Sequence, residues 1–332
     1  MVEPSWGVVA TVKASAETIL TFAAHHLELG AQRIHIYLDD DAVTARKALI
    51  GHPKCRVILC DDGYWRRRFK RGGRPGKHQQ RQSANATHCY RRRAEVDWLA
   101  HIDVDEFLWP GKPLSEQLSS LPKDTLSARV RPVEALAADR GDPPSPGVIY
   151  CKATALAGKL RARQTTAIFP TYGAHLNGGF LSHVAGKVFV RTGEEAISLR
   201  IHNAFRNGVM DENPPELPAT ELAHLHAPSW EAFLAAYRFR LERGSYRSEL
   251  KPASGDGGLT MHQLFSMLEA EGGERALRAF YDEVCVAGPE LRARLEANGL
   301  LRRFRLDARD LLFRHFPETV FDRPDLMLRR LH

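Results

Sequence analysis

The chain has 332 residues, 43% of them hydrophobic and 26% charged, and a formal net charge of +7. That size suits one large α/β domain or a core with an accessory region, and the composition excludes a largely disordered chain. The positive excess points to an anionic partner, a class that includes nucleoside diphosphates, anionic glycans, acidic lipid surfaces and nucleic acid.

Five scattered cysteines, with no CxxC pair and no Cys/His zinc spacing, read as reduced buried thiols rather than a disulfide or zinc framework. No basic stretch leads into an apolar segment at residues 1–6, and no apolar run approaches the roughly 20 residues of a membrane span. A cytoplasmic protein is expected, with peripheral association at the inner face of a membrane left open.

In chain order, residues 8–13 form a β-branched run, and residues 17–29 carry Leu20, Ala24 and Leu27 at helical spacing. Gly30 is placed to end that helix. A second strand, 33–38, runs into Asp39-Asp40-Asp41, and 42–50 reads as helix. A third strand, 55–60, runs into Asp61-Asp62, a long polar helix follows over 77–95, and a fourth strand spans 97–103. Strands alternating with helices predict βαβ units, a mostly parallel sheet flanked by helices, and right-handed crossovers. Ligands of such sheets bind at the carboxyl ends of strands. Three of the four strands end in aspartate, which suggests a cation-assisted site there.

Farther on, 127–133 reads as a strand, and 186–191 with 197–201 as a strand pair about Thr192-Gly193. Two proline-rich loops fall at 139–147 and 210–218. From Ser229, an expected N-cap, the pattern turns helical over 229–243, 260–271, 274–286 and 289–298. Residues 1–228 are therefore expected to form the catalytic α/β unit, and 229–332 a helical extension packed on or beside it.

The chemistry concentrates in His101-Ile102-Asp103-Val104-Asp105-Glu106-Phe107-Leu108. In extended chain, Asp103 and Asp105 share a face. Two such carboxylates repel unless a cation lies between them, and hard oxygen ligands suit Mg²⁺ or Mn²⁺. An ion there neutralises charge on a diphosphate leaving group.

Trp98-x-x-x-x-Asp103-x-Asp105-Glu106-Phe107-Leu108 resembles the aspartate motif of family-2-like bacterial glycosyltransferases of the GT-A fold. The resemblance extends to Glu17…Phe22-x-x-His25-His26-x-x-x-Gly30…Ile34-x-Ile36-Tyr37-x-Asp39, to Gly186-Lys187-x-Phe189-Val190-Arg191, and to His224-Leu225-His226-x-x-Ser229. It implies a GT-A-like, Rossmann-like fold and transfer of a hexosyl group, with inversion, from a nucleotide-diphosphate sugar to a glycan or lipid-linked acceptor in polysaccharide assembly. It further implies that the first strand and Asp39 to Asp41 hold the base and ribose, that Asp103 faces ribose or metal, and that Asp105 is the more direct ligand. His224, with His226 as alternate, completes the metal site. Glu106 belongs to the catalytic motif, and His183 with Lys187 lies near the diphosphate or acceptor. Lys13, Lys187 and Arg191 are expected to neutralise phosphate, and Asp40 to help hold the donor. The acidic motif that usually supplies the base after the aspartates is missing, so Glu134, Asp139, Asp211 and Glu212 stay open.

The densest positive block, Arg66-Arg67-Arg68-Phe69-Lys70-Arg71 continuing through Arg74, Lys77 and Arg81, reads as a solvated loop or as a charged lid over the donor. No nucleic-acid recognition signature accompanies it, so no specific nucleic-acid partner is expected. The absence of GxGxxG, P-loop and GxSxG patterns disfavours a dehydrogenase, a P-loop ATPase and an α/β-hydrolase. The competing readings are a nucleotidyltransferase or phosphohydrolase with the same carboxylate–metal logic, and a non-catalytic polyanion-binding module. His25 and His26 are expected to be structural.

Overall fold

The computed structural model describes residues 3–69, 73–92, 94–243 and 259–319. Lys70 and Arg71 of the basic block lie outside the described residues. The fold is α/β, a large sheet flanked by helices, as the GT-A-like reading expects.

The first half alternates regularly: β1 (Trp6–Val12), α1 (Ala16–Glu28), β2 (Arg33–Leu38), α2 (Val43–Gly51), β3 (Cys55–Leu59), α3 (Asp62–Arg68), α4 (His78–Arg91) and β4 (Trp98–His101). β1 is buried at every position, as a strand covered on both faces must be. Ser15 caps α1 by accepting from the Thr18 amide. Gly30 follows that helix with φ +93°, the left-handed conformation that ends helices cheaply. Asp61 caps α3 through the Tyr64 amide, so this strand-end carboxylate serves the helix.

The second half comprises β5 (Glu106–Pro110), α5 (Leu114–Ser119), β6 (Ser127–Ala135), β7 (Val148–Lys152), α6 (Gly158–Ile168), β8 (Lys187–Arg191), β9 (Ile197–Leu199), β10 (Ala204–Arg206), β11 (Val209–Met210) and β12 (Glu216–His224). After these come α7 (Trp230–Arg243), α8 (Met261–Cys285), α9 (Pro289–Ala297), β13 (Leu301–Arg305) and α10 (Ala308–His315). The main sheet has ten strands in the path β13-β7-β6-β8-β4-β1-β2-β3, with β12 joined to β5 and β6. β3-β2-β1-β4 are mutually parallel, while β8 enters antiparallel between β4 and β6. Beyond β8 the pairing is antiparallel except for β6 with β12.

Two expectations change in detail. Residues 192–193 do not close a hairpin, because β8 belongs to the main sheet and β9 pairs instead with β10 in a separate three-stranded sheet. The two helices expected over 260–286 are present as the two arms of α8, separated by a kink at Gly273 with φ +55°. The tail also carries a strand: β13 pairs antiparallel with β7, and α10 sets Arg314 and His315 against Glu28 of α1. Ser229 caps α7 through the Ala232 amide as expected. No helix among the described residues is long and apolar enough to cross a membrane.

Candidate active site

The acidic motif is a turn rather than an extended run. β4 stops at His101, Glu106 donates its amide to the Asp103 carbonyl at 3.0 Å, and β5 starts at Glu106. The alternating-face argument for Asp103 and Asp105 therefore fails, and their side chains diverge to different partners. A backbone bond from the Leu225 amide to the Asp105 carbonyl, at 2.8 Å, ties the turn to the end of β12.

Asp103 is held from both sides. Gln82 of α4 donates to Oδ1, and Lys187 Nζ donates to Oδ2 at 2.8 Å. The same ammonium lies 3.2 Å from Glu106 Oε2, which also accepts from the Asp103 amide. Burial disfavours the charge on Asp103, but Lys187 overrides it and holds the carboxyl below the usual range. Glu106 has no exposed side-chain surface, and burial pushes it up to about 7 against the pull of Lys187. Lys187 is itself buried yet stays protonated because Asp103 and Glu106 outweigh the desolvation. It therefore balances the two acids beneath the site, where an expected phosphate contact would have needed an open ammonium.

Asp105 is the most open of the three acids, with 37% of its side chain exposed. His224 Nε2 lies 3.2 Å from its Oδ2. His224 is in register with Glu106 on β5 and with Glu134 on β6, so one cross-strand row carries all three. Burial would discharge the imidazole, but Asp105 raises it to about 9. The His226 ring lies beside His224 at 5.3 Å between centroids.

His183 enters from the segment before β8, its Nε2 3.8 Å from Glu106 Oε1. Its ring packs 3.9 Å from His202 and 6.0 Å from His224, centroid to centroid. Burial, with His202, His224 and Lys187 nearby, drives it down to about 2, so it is a neutral imidazole. That suits a metal ligand better than a proton-transfer group, whose affinity should sit near working pH. Gly186 makes the approach feasible: its φ of +73° and the Val130 carbonyl against its α-carbon leave no room for a side chain.

One ligand atom from each of Glu106, His183 and His224 falls within 4.8 Å of the others. Glu106 Oε1, His183 Nδ1 and His224 Nδ1 are all buried without a hydrogen-bond partner among the described residues. Orphaned polar atoms of this kind are rare in folded proteins and call for a ligand or ion.

The donor-side acids are placed differently. Asp39 has no side-chain exposure and is gripped by Arg81 at 2.8 Å and Arg74 at 3.0 Å, with His78 at 4.0 Å. Lys13 and Asp40 are exposed at the carboxyl ends of β1 and β2. Arg191 sits at the other end of β8, opposite Trp98, where it donates to the Thr125 and Pro122 carbonyls and lies 4.4 Å over the Trp98 ring. The structure thus keeps it away from the acids and corrects its assignment to phosphate.

None of the open candidates for the base reaches this centre with a free carboxylate. Glu134 accepts from the Leu181 and Ser182 amides, Ser182 Oγ and Lys152. Asp139 accepts from the Gly141 amide and Asp211 from Ser127 Oγ, while Glu212 is exposed. His25 and His26 are buried on carbonyls, as expected of structural histidines. Gln82, His78 and His202 were not legible as site residues, and Arg81 was read only as part of the charged block. The long polar pattern of α4 hinted at Gln82 and His78.

No family model matches the chain, and no curated protein matches it. Solved structures that align include HddC from Yersinia pseudotuberculosis, at 13% identity and TM-score 0.26, covering 42% of this chain. The chain spans 65% of the length of HddC. The galactosyltransferase LgtC, solved with donor and acceptor sugar analogs, aligns at 10% identity and TM-score 0.29 over 87% of this chain and 99% of LgtC. Likenesses this faint do not speak to function.

Proposed function

We propose that the protein is a metal-dependent glycosyltransferase that takes a nucleotide-diphosphate sugar as donor and a glycan or lipid-linked acceptor. The observation that carries this reading is the unsatisfied group of Glu106, His183 and His224 at the carboxyl edge of the sheet, with Asp105 hydrogen-bonded to His224 beside it. Mixed imidazole and carboxylate donors fit Mn²⁺ better than Mg²⁺, which prefers oxygen and retains water. A divalent ion bound there supplies Lewis-acid stabilisation of a departing diphosphate.

The chain's own residues prepare that chemistry. Lys187 keeps the buried Asp103 charged and pulls against the burial that raises Glu106, and Gln82 fixes the Asp103 carboxylate. Asp39, itself covered, anchors Arg74 and Arg81, whose partly exposed guanidinium groups would meet the donor. His202, whose ring meets that of His183 edge to face, also lines an open pocket of about 870 Å³ with Gln79, Ser83, Arg200 and Asn203. Phe69, Ile201 and Phe205 make much of its lining apolar, and the polar residues among them would meet acceptor hydroxyls.

The test is a thermal-shift panel of UDP, GDP and CMP, each with and without Mn²⁺. A ligand that binds only the folded state raises apparent stability by mass action. A Mn²⁺-dependent shift with one nucleotide, lost in His224→Ala, supports the transferase and names the base. Shifts that ignore Mn²⁺, or none at all, sink it.

A further inference from the structure

The basic block divides. Arg74 and Arg81 turn to Asp39, but Arg67 and Arg68 of α3 turn the other way. With Arg92, just past α4, they line a pocket of about 540 Å³ whose floor includes Leu59 of the edge strand β3, Tyr64 and His88. Gln82, which touches Asp103, and Arg92 are ten residues apart on α4 and its cap, or about 15 Å along the axis. The hydrogen-bonded link Tyr64–Asn85–Thr11 stands between them along that helix.

The three arginines have no acidic partner among the described residues, in a chain whose other surface arginines often do. Among the described residues Arg68 Nε is buried with no hydrogen-bond partner, and Nη2 donates to the Ala84 carbonyl. His88 accepts or shares a proton with Tyr37 Oη at 2.9 Å. Burial, and after it the charges of Arg68 and Arg92, push it down to about 4. Like charges gathered around a cavity repel, and an anion with several oxygens relieves that cost through bidentate guanidinium bonds.

We propose that this pocket is a second anion site, separate from the donor site, for a ligand carrying a phosphate or diphosphate group. Guanidinium forks from Arg67, Arg68 and Arg92 grip the phosphate oxygens, and the face formed by Leu59 and Tyr64 accepts an apolar portion. Such a group belongs either to a free metabolite or to a lipid headgroup.

The test titrates pyrophosphate into the whole protein by calorimetry in EDTA, where a metal-dependent donor site is silent. In parallel, phosphatidic acid vesicles are sedimented with the protein, against phosphatidylcholine vesicles as control. Pyrophosphate is expected to bind, to weaken at least about tenfold in Arg68→Gln/Arg92→Gln, and to bind Asp105→Asn unchanged. Vesicle binding that falls with the same substitutions assigns the headgroup; pyrophosphate binding alone assigns a free metabolite. Arg67→Gln/Arg92→Gln, at two exposed positions, repeats the test without touching the Arg68–Ala84 bond. If neither probe binds, or all binding survives both double substitutions, the site does not exist.

Discussion

One row of residues crosses four neighbouring strands: Glu106 on β5, His224 on β12, Glu134 on β6 and Lys152 on β7. Its two ends have opposite characters. At one end Glu134 is saturated by two amides, a hydroxyl and Lys152, which in turn donates to the Val284 carbonyl at 2.7 Å. At the other end Glu106 and His224 each keep a buried atom with no partner. Burial is the same at both ends, so burial alone does not mark a site. What separates scaffold from site is whether the hydrogen-bonding capacity is used up.

The sharpest way to break this contrast is at the saturated end. Glu134→Ala leaves Lys152 as an unpaired buried cation and frees the Leu181 and Ser182 amides, so unfolding in urea should show a loss of about 3–5 kcal/mol. A loss below about 1 kcal/mol would remove the scaffold role. Glu106→Gln, at the open end, keeps shape and leaves Lys187 paired with Asp103. It should cost under about 1.5 kcal/mol, yet weaken Mn²⁺ binding by about 10–100-fold, measured by equilibrium dialysis.

A third carboxylate, Glu95, separates saturation from burial. It accepts from Arg33 and Arg56 but is 36% exposed. Those arginine hydrogen bonds hold it down at about 2. An acid with a lowered folded value contributes stability above its ordinary range, and that contribution disappears as pH falls through about 2. Glu95→Gln should therefore cost no more than about 1 kcal/mol at neutral pH, the gap to wild type closing in acid. Denaturation midpoints across pH 2–7 check it, and a gap independent of pH would contradict the ion-pair account.

The parallel half of the fold was legible because each of its strands is a compact apolar run, three of the four followed by aspartate. The antiparallel half was less so. β13, Leu301-Arg302-Arg303-Phe304-Arg305, hides its strand character behind three arginines, which an edge strand tolerates. Arg302 is drawn to Glu221 and Phe304 stacks on Trp109, contacts set by the fold and not by local pattern.

The site divides the same way. Asp39, Asp103 and Asp105 stand at strand ends and announce themselves. His183, Lys187 and His224 were reached through resemblance, and resemblance did not say that Lys187 would be spent on the acids. Gln82 and His202 come from a polar helix and a loop whose approach depends on tertiary packing, so no spacing rule finds them.

In the proposed site Asp105 and His224, beside Glu106 and His183, hold a divalent ion at the carboxyl edge of the sheet. Electron paramagnetic resonance of Mn²⁺ titrated into wild type and into Asp105→Asn, with the nucleotide that the thermal-shift panel selects, tests this directly. Wild type should show a bound Mn²⁺ population whose affinity falls at least about tenfold in the variant, while circular dichroism shows the fold intact. Equal Mn²⁺ binding by both proteins would contradict it.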